Sequence, residues 1–118
     1  MRAAAKNDIE TLTALIEKGV DLEEVDNDGY TALHWAVWYD EIDTVNMLLD
    51  SGANPNAKEY IDYSTPLFLA VYNENPEMVK SLLEHGVNVE FKDSEGKTAI
   101  DYATELGNIE LISLLEGY

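Results

Sequence analysis

Cysteine is absent from the 118 residues, so neither disulfides nor thiolate metal sites can form, and nothing in the chain speaks for or against an oxidising compartment. No run approaches the roughly 18 apolar residues of a membrane-spanning helix. The opening stretch from Met1 to Lys6 is followed by polar residues, not by the apolar core of a signal peptide. The expected setting is cytoplasmic, and a secretion route that needs no signal is compatible with the same residues. Positive charge is scarce: 7 Lys plus Arg stand against 24 Asp plus Glu, a net charge of −17 that repels nucleic acid and anionic membranes. The imbalance is sharpest between Gly19 and Ala57, where Asp21, Glu23, Glu24, Asp26, Asp28, Asp40, Glu41, Asp43 and Asp50 occur with no Lys or Arg. A protein with a basic surface is the natural complement.

Residues for chemistry are equally sparse. The only histidines are His34 and His85, and no Ser-His-acid trio, glycine-rich phosphate loop or metal-ligand cluster is present. Asp26-x-Asp28-Gly29 resembles the start of a calcium loop. With Gly29 at the sixth position, however, the twelfth falls on Trp35 and not on the bidentate Glu such a site needs. The chain reads as a non-enzyme with no cofactor and no metal.

What the sequence does contain is a repeat. Hydrophobic residues make up 46% and charged residues 26%, the balance of one folded domain over residues 1–118. Thr31-Ala32-Leu33, Thr65-Pro66-Leu67 and Thr98-Ala99-Ile100 recur at intervals of 34 and 33 residues. Each is followed by a second apolar segment: Val45 with Leu48-Leu49, Val79 with Leu82-Leu83, and Ile112 with Leu114-Leu115. In one unit Thr31 caps a helix to about Tyr39, with Leu33, Ala36 and Val37 on its core face. Asp40-Glu41 breaks the chain, and a second helix from about Ile42 to Asp50 ends at Gly52, suited to a left-handed C′ position. Asp26-Asn27-Asp28-Gly29 and Asp93-Ser94-Glu95-Gly96 carry turn chemistry, so each helix pair is joined to the next by a hairpin-like loop.

Thr31-Ala-Leu-His34-Trp-Ala36, Thr65-Pro-Leu-Phe-Leu-Ala70 and Thr98-Ala-Ile-Asp-Tyr-Ala103, with Gly52-Ala-Asn-Pro-Asn-Ala57, resemble the ankyrin repeat. The resemblance covers essentially the whole chain and implies an all-α solenoid of stacked helix-turn-helix units joined by β-hairpin-like loops. Its register gives a truncated first repeat (1–25), a second (26–58), a third with a one-residue loop insertion (59–92) and a C-terminal capping repeat (93–118). Glu116 stands where Ile16, Leu49 and Leu83 stand in the other units, giving the last helix the polar outer face of an end repeat. His34 falls at the family's structural histidine, whose ring is implied to hydrogen-bond across neighbouring loops. His85 lies near a helix end, where an imidazole interacts favourably with the dipole.

The resemblance also implies that partners lie against the face made by hairpin tips and first helices. It gives Asn27, Asp28, Tyr30, Trp38 and Tyr39 in the second repeat, Ile61, Asp62, Ser64, Tyr72 and Asn73 in the third, and Ser94, Glu95, Lys97, Glu105 and Leu106 in the fourth. The residues themselves point the same way, since Trp35 and Trp38 share a helical stripe opposite Leu33, Ala36 and Val37, bordered by Tyr39. Trp35 and Tyr102 either contact a partner or fill the gap between repeats. The third loop, with Tyr60, Ile61, Asp62 and Tyr63, is irregular and aromatic; Tyr63 takes the turn position of Gly29 and Gly96, and irregular loops often carry function. Asp28, Asp40, Glu41, Asp62 and Glu74 form an acidic rim.

The function expected is a non-catalytic protein-interaction module that takes a basic partner on the concave face. Three other readings fit the same residues: an inhibitor or immunity protein masking a basic enzyme or toxin, a fragment of a larger scaffold, and an engineered binder. A monomer is expected, with self-association through the incomplete N-terminal edge as the alternative.

Overall fold

The computed structural model describes Ala14, residues 17–19 and residues 21–117. Most of the truncated first repeat, and with it the N-terminal edge considered for self-association, lies outside the described residues. From residue 21 onward six helices follow one another as three pairs: α1 (Ala32–Trp38) with α2 (Ile42–Asp50), α3 (Pro66–Tyr72) with α4 (Pro76–Glu84), and α5 (Ala99–Leu106) with α6 (Ile109–Glu116). No strand forms among the described residues. The fold is an all-α repeat solenoid.

Local chemistry sets each boundary. The Thr31 hydroxyl accepts from the His34 N–H at 3.3 Å while the Thr31 N–H donates to His34 Nδ1 at 3.1 Å, a reciprocal cap in which histidine replaces the usual Glu. Thr98 repeats the arrangement, donating its N–H to Asp101 Oδ2 at 2.9 Å. At Thr65 the first helical position is Pro66, whose ring presets φ and removes an N–H that would have no partner there. Asn75 and Asn108 cap α4 and α6, each accepting an N–H at 3.1 Å. Between the helices of a pair the chain turns through a left-handed residue, which is Asp40 (φ 58), Glu74 (φ 52) or Gly107 (φ 70).

Stacking is between neighbours. The first helices pack in a row, α1 on α3 and α3 on α5, and α4 packs on α6. Ala36, Ala70 and Ala103 occupy equivalent positions and are wholly buried, because only a methyl group fits where adjacent first helices approach. Leu33, Val37, Val45 and Leu48 fill the same core, as do Leu67, Val71, Val79, Leu82 and Leu111 from the following repeats. The stack measures 41 × 26 × 21 Å.

Polar side chains fasten each repeat to the next. His34 is fully buried, with Nδ1 accepting from Thr31 N–H and Nε2 donating to the Ser64 carbonyl at 3.0 Å, so the ring bridges the second and third repeats as the family resemblance implies. Asn75 donates to Asp40 at 3.2 Å, Asn108 to Glu74 at 3.2 Å, and His85 bonds Asp50 at 3.1 Å. At the hairpin tips the Tyr60 N–H donates to the Asp28 carbonyl and the Ser94 N–H to the Asp62 carbonyl, each at 2.8 Å.

Candidate partner-binding face

The tips of the second and fourth repeats are built alike. Asp26 Oδ1 accepts the N–H groups of Asp28 and Tyr30 at 3.0 Å each, and Asp93 Oδ1 accepts those of Glu95 at 2.9 Å and Lys97 at 3.0 Å. The second oxygen of each carboxylate reaches an aromatic side chain on the following helix. Trp35 Nε1 donates to Asp26 Oδ2 at 3.2 Å, and the Tyr102 hydroxyl donates to Asp93 Oδ2. Burial pushes the Asp26 carboxyl up, but the N–H groups of Tyr30, Asp28 and Trp35 outweigh it and hold the group below the usual carboxylate range. At Asp93 the same opposition is settled downward by Tyr102, Lys97 and Glu95. The hydrogen bond to Asp93, with burial, raises the Tyr102 phenol well above its ordinary range and keeps it a donor.

The third tip solves the same problem differently. Its loop is one residue longer, and the anchoring carboxylate is Glu59, which is only 1% exposed. Glu59 Oε1 accepts from Asp62 N–H at 2.7 Å and Ser64 N–H at 3.0 Å, and Oε2 from Ile61 N–H at 2.9 Å. The extra methylene of Glu spans the wider loop. Tyr63, at φ 59, takes the left-handed turn position that Gly29 and Gly96 fill elsewhere. Gly29 is required for a second reason, since a Cβ there would lie 2.6 Å from the Tyr60 ring. One face of Tyr60 is thus spent on the neighbouring repeat.

Two hollows open beside the tips. The smaller, about 160 Å³, is walled by Tyr30, His34, Trp35, Trp38 and Leu69. Tyr30 meets His34 edge-on at 5.5 Å and Trp35 at 5.6 Å, and Trp35 stacks on Tyr39 at 6.1 Å and 22°. The larger, about 410 Å³, lies between the third and fourth repeats and is lined by Asp62, Tyr72, Tyr102, Glu105 and Leu106, with Phe68 at its floor. Tyr102 stands at 86° to Phe68 and at 33° to Tyr72, with centroids 5.7 and 5.9 Å apart.

Of the residues singled out in the sequence, Tyr30, Trp35 and Trp38 meet in the first hollow, and Asp62, Tyr72 and Leu106 in the second. Trp38 is 47% exposed, Tyr39 53% and Tyr72 62%, large rings left in water. Asp28, Ile61 and Tyr63 are exposed at the tips. Trp35 is half-buried and bound to Asp26, so it supports the surface as much as forming it. Asn73 is directed elsewhere: its amide donates to the Trp38 carbonyl at 3.0 Å and joins two repeats. Two contributors escaped sequence reasoning, namely Phe68 and Glu59 as a tip anchor, whereas Tyr102, left open in the sequence between partner contact and gap-filling, lines the second hollow. For Tyr102 a signal exists, because Asp26 precedes Trp35 by nine residues and Asp93 precedes Tyr102 by nine.

Among the described residues no group of three or more His, Asp or Glu is arranged to hold a metal ion. No helix among them is long and apolar enough to cross a membrane.

A family model described as ankyrin repeats, in three copies, matches residues 1–59 and 58–117. The chain is 41% identical over 101 residues to the glycerophosphocholine phosphodiesterase gde1 of Schizosaccharomyces pombe, a match that covers 86% of this chain and 9% of the relative. It is 31% identical over 114 residues to the ankyrin repeat protein FPV034 of fowlpox virus, covering 97% and 26%. It is 38% identical over 117 residues to the human transient receptor potential cation channel subfamily A member 1, covering 96% and 10%. The chain therefore spans about a quarter or less of the length of these relatives.

Proposed function

The chain belongs to the ankyrin-repeat family, whose members are generally protein-interaction modules, and from this premise we propose that it binds a basic protein partner through the face made by its hairpin tips and first helices. The observation that carries the reading is the row of exposed rings Trp38, Tyr39 and Tyr72, the last sharing a hollow with Asp62 and Glu105. Exposed Trp and Tyr are the residue types that dominate binding energy, because a large, rigid ring leaves water at small entropic cost. The surrounding carboxylates attract a cationic partner over a Debye length and set the orientation of encounter.

The test is replacement of Trp38 and Tyr39 by Ala. Each truncation removes about 2 kcal/mol or more of binding if the ring is a hot spot, a loss of roughly thirtyfold. Circular dichroism should be unchanged, because neither side chain belongs to the buried core. Full retention of a purified partner by the folded double variant would remove this face from the reading.

A further inference from the structure

The groove between the third and fourth repeats holds a cation of the protein's own. Lys97 Nζ lies 5.4 Å from the centre of the Tyr102 ring, 3.1 and 3.2 Å from the two oxygens of Glu105, and 3.8 Å from Glu95. Asp62, Asp93, Glu95 and Glu105 line the groove together with this one ammonium, so the groove keeps an excess of three negative charges. The Asp62 carboxylate accepts no hydrogen bond from the described residues. Its backbone is nonetheless fixed, by the bonds to Glu59 and Ser94.

The aromatic walls are equally prepared. Tyr102 is held by Phe68 at its side and by Asp93 at its hydroxyl, so its face toward the groove is set before any ligand arrives. Tyr72 leans toward it at 33° and is the more exposed of the two. A volume of about 410 Å³ sits at the low end for binding pockets, which suits one long side chain better than a helix.

We propose that this groove receives the guanidinium of an arginine side chain on the protein partner, stacked against Tyr72 and Tyr102 and paired with Asp62 and Glu105, with Lys97 as its resident competitor. A planar guanidinium stacks on aromatic faces and forks onto carboxylates, whereas a second ammonium would compete directly with Lys97 for one point charge. The proposal rests on the interaction reading above and specifies what the downstream half of the face recognises.

The test uses small probes on the whole chain, followed by amide NMR shifts. N-acetyl-arginine methylamide is expected to give saturable shifts confined to Asp62, Tyr72, Lys97, Tyr102 and Glu105, with Kd on the order of 1–10 mM. The neutral citrulline analogue should bind at least about tenfold more weakly, and the lysine analogue several-fold more weakly. Lys97→Met, which keeps the stem and removes the charge, should tighten arginine binding about three- to tenfold; Tyr72→Ala should weaken it by a similar factor. Equal binding of citrulline, equal binding of lysine, shifts spread over the whole acidic surface, or weaker binding to Lys97→Met would each overturn the assignment. Tyr72 is 62% exposed and outside the buried core, so Tyr72→Ala keeps the test open if Lys97→Met fails to fold. Because the probes need no partner, failure here is separable from failure of the Trp38 and Tyr39 variants to release one.

Discussion

His34 is held neutral in the folded chain: burial lowers its pKa from the ordinary 6.5, against the raising effects of the Ser64 carbonyl and of Glu59. Below 6.5 the unfolded chain therefore binds a proton that the folded chain refuses, and the stability His34 contributes above that value falls as pH drops toward the folded pKa. His85 has the opposite sign. The Ser81 carbonyl and Asp50 raise it, so its contribution is complete below 6.5 and is lost as pH rises through the folded value. Urea unfolding at pH 7.5 and 5.5 should show the gap between the parent chain and His34→Gln shrinking on acidification, and the gap for His85→Gln growing. A His34 gap that stays constant would mean that the buried ring accepts its proton without cost.

The third hairpin loop shows how one element reaches the common architecture by its own route. Glu59, itself buried, satisfies three N–H groups at the base of an otherwise exposed tip. Glu59→Gln, equal in size but with a donor facing those donors, should cost about 2 kcal/mol by chemical denaturation, the range for losing hydrogen bonds to a charged group. An unchanged midpoint would show that water replaces the carboxylate freely. This loop also marks where the sequence stops being legible. The helices were readable because Thr31, Thr65 and Thr98 repeat with apolar residues at three- and four-residue spacing, and those signals are local. The irregularity of the loop was readable too, from its extra residue and from Tyr63 at a glycine position. The role of Glu59 was not, because in a chain with 24 acids one more Glu looks like solvated charge, and only the folded loop shows it buried. Asn73 misleads in the converse way. Its position in the repeat implies partner contact, but its amide reaches back to Trp38 across the stacking interface, a contact between residues 35 apart that local pattern does not carry.

Across the whole molecule, charge acts in two directions. A net charge of −17 on one small domain destabilises the compact state by self-repulsion, and the same charge draws a cationic partner. Raising NaCl from 0.02 to about 0.5 M shortens the Debye length from roughly 20 Å to about 4 Å. Thermal unfolding of the free chain should then move to higher temperature while affinity for a basic partner falls; a partner whose affinity ignored salt would not be held by this acidic rim. The symmetry of the tips has a whole-molecule reading as well. Asp26 with Trp35 and Asp93 with Tyr102 are one device used twice, and they place an aromatic wall on either side of the third repeat.

Among the described residues the main helix contacts run from each repeat to the next, which gives the stack a mechanical character. Under tension a stack built on neighbour contacts peels one slab at a time, each seam yielding at its own force. The His34 and Asn75 bonds are rivets across the seam between the second and third repeats, and the Asn108 and Ser94 bonds are rivets across the next. A partner lying along the tips would splint both seams together, so that binding would register as stiffness as well as affinity.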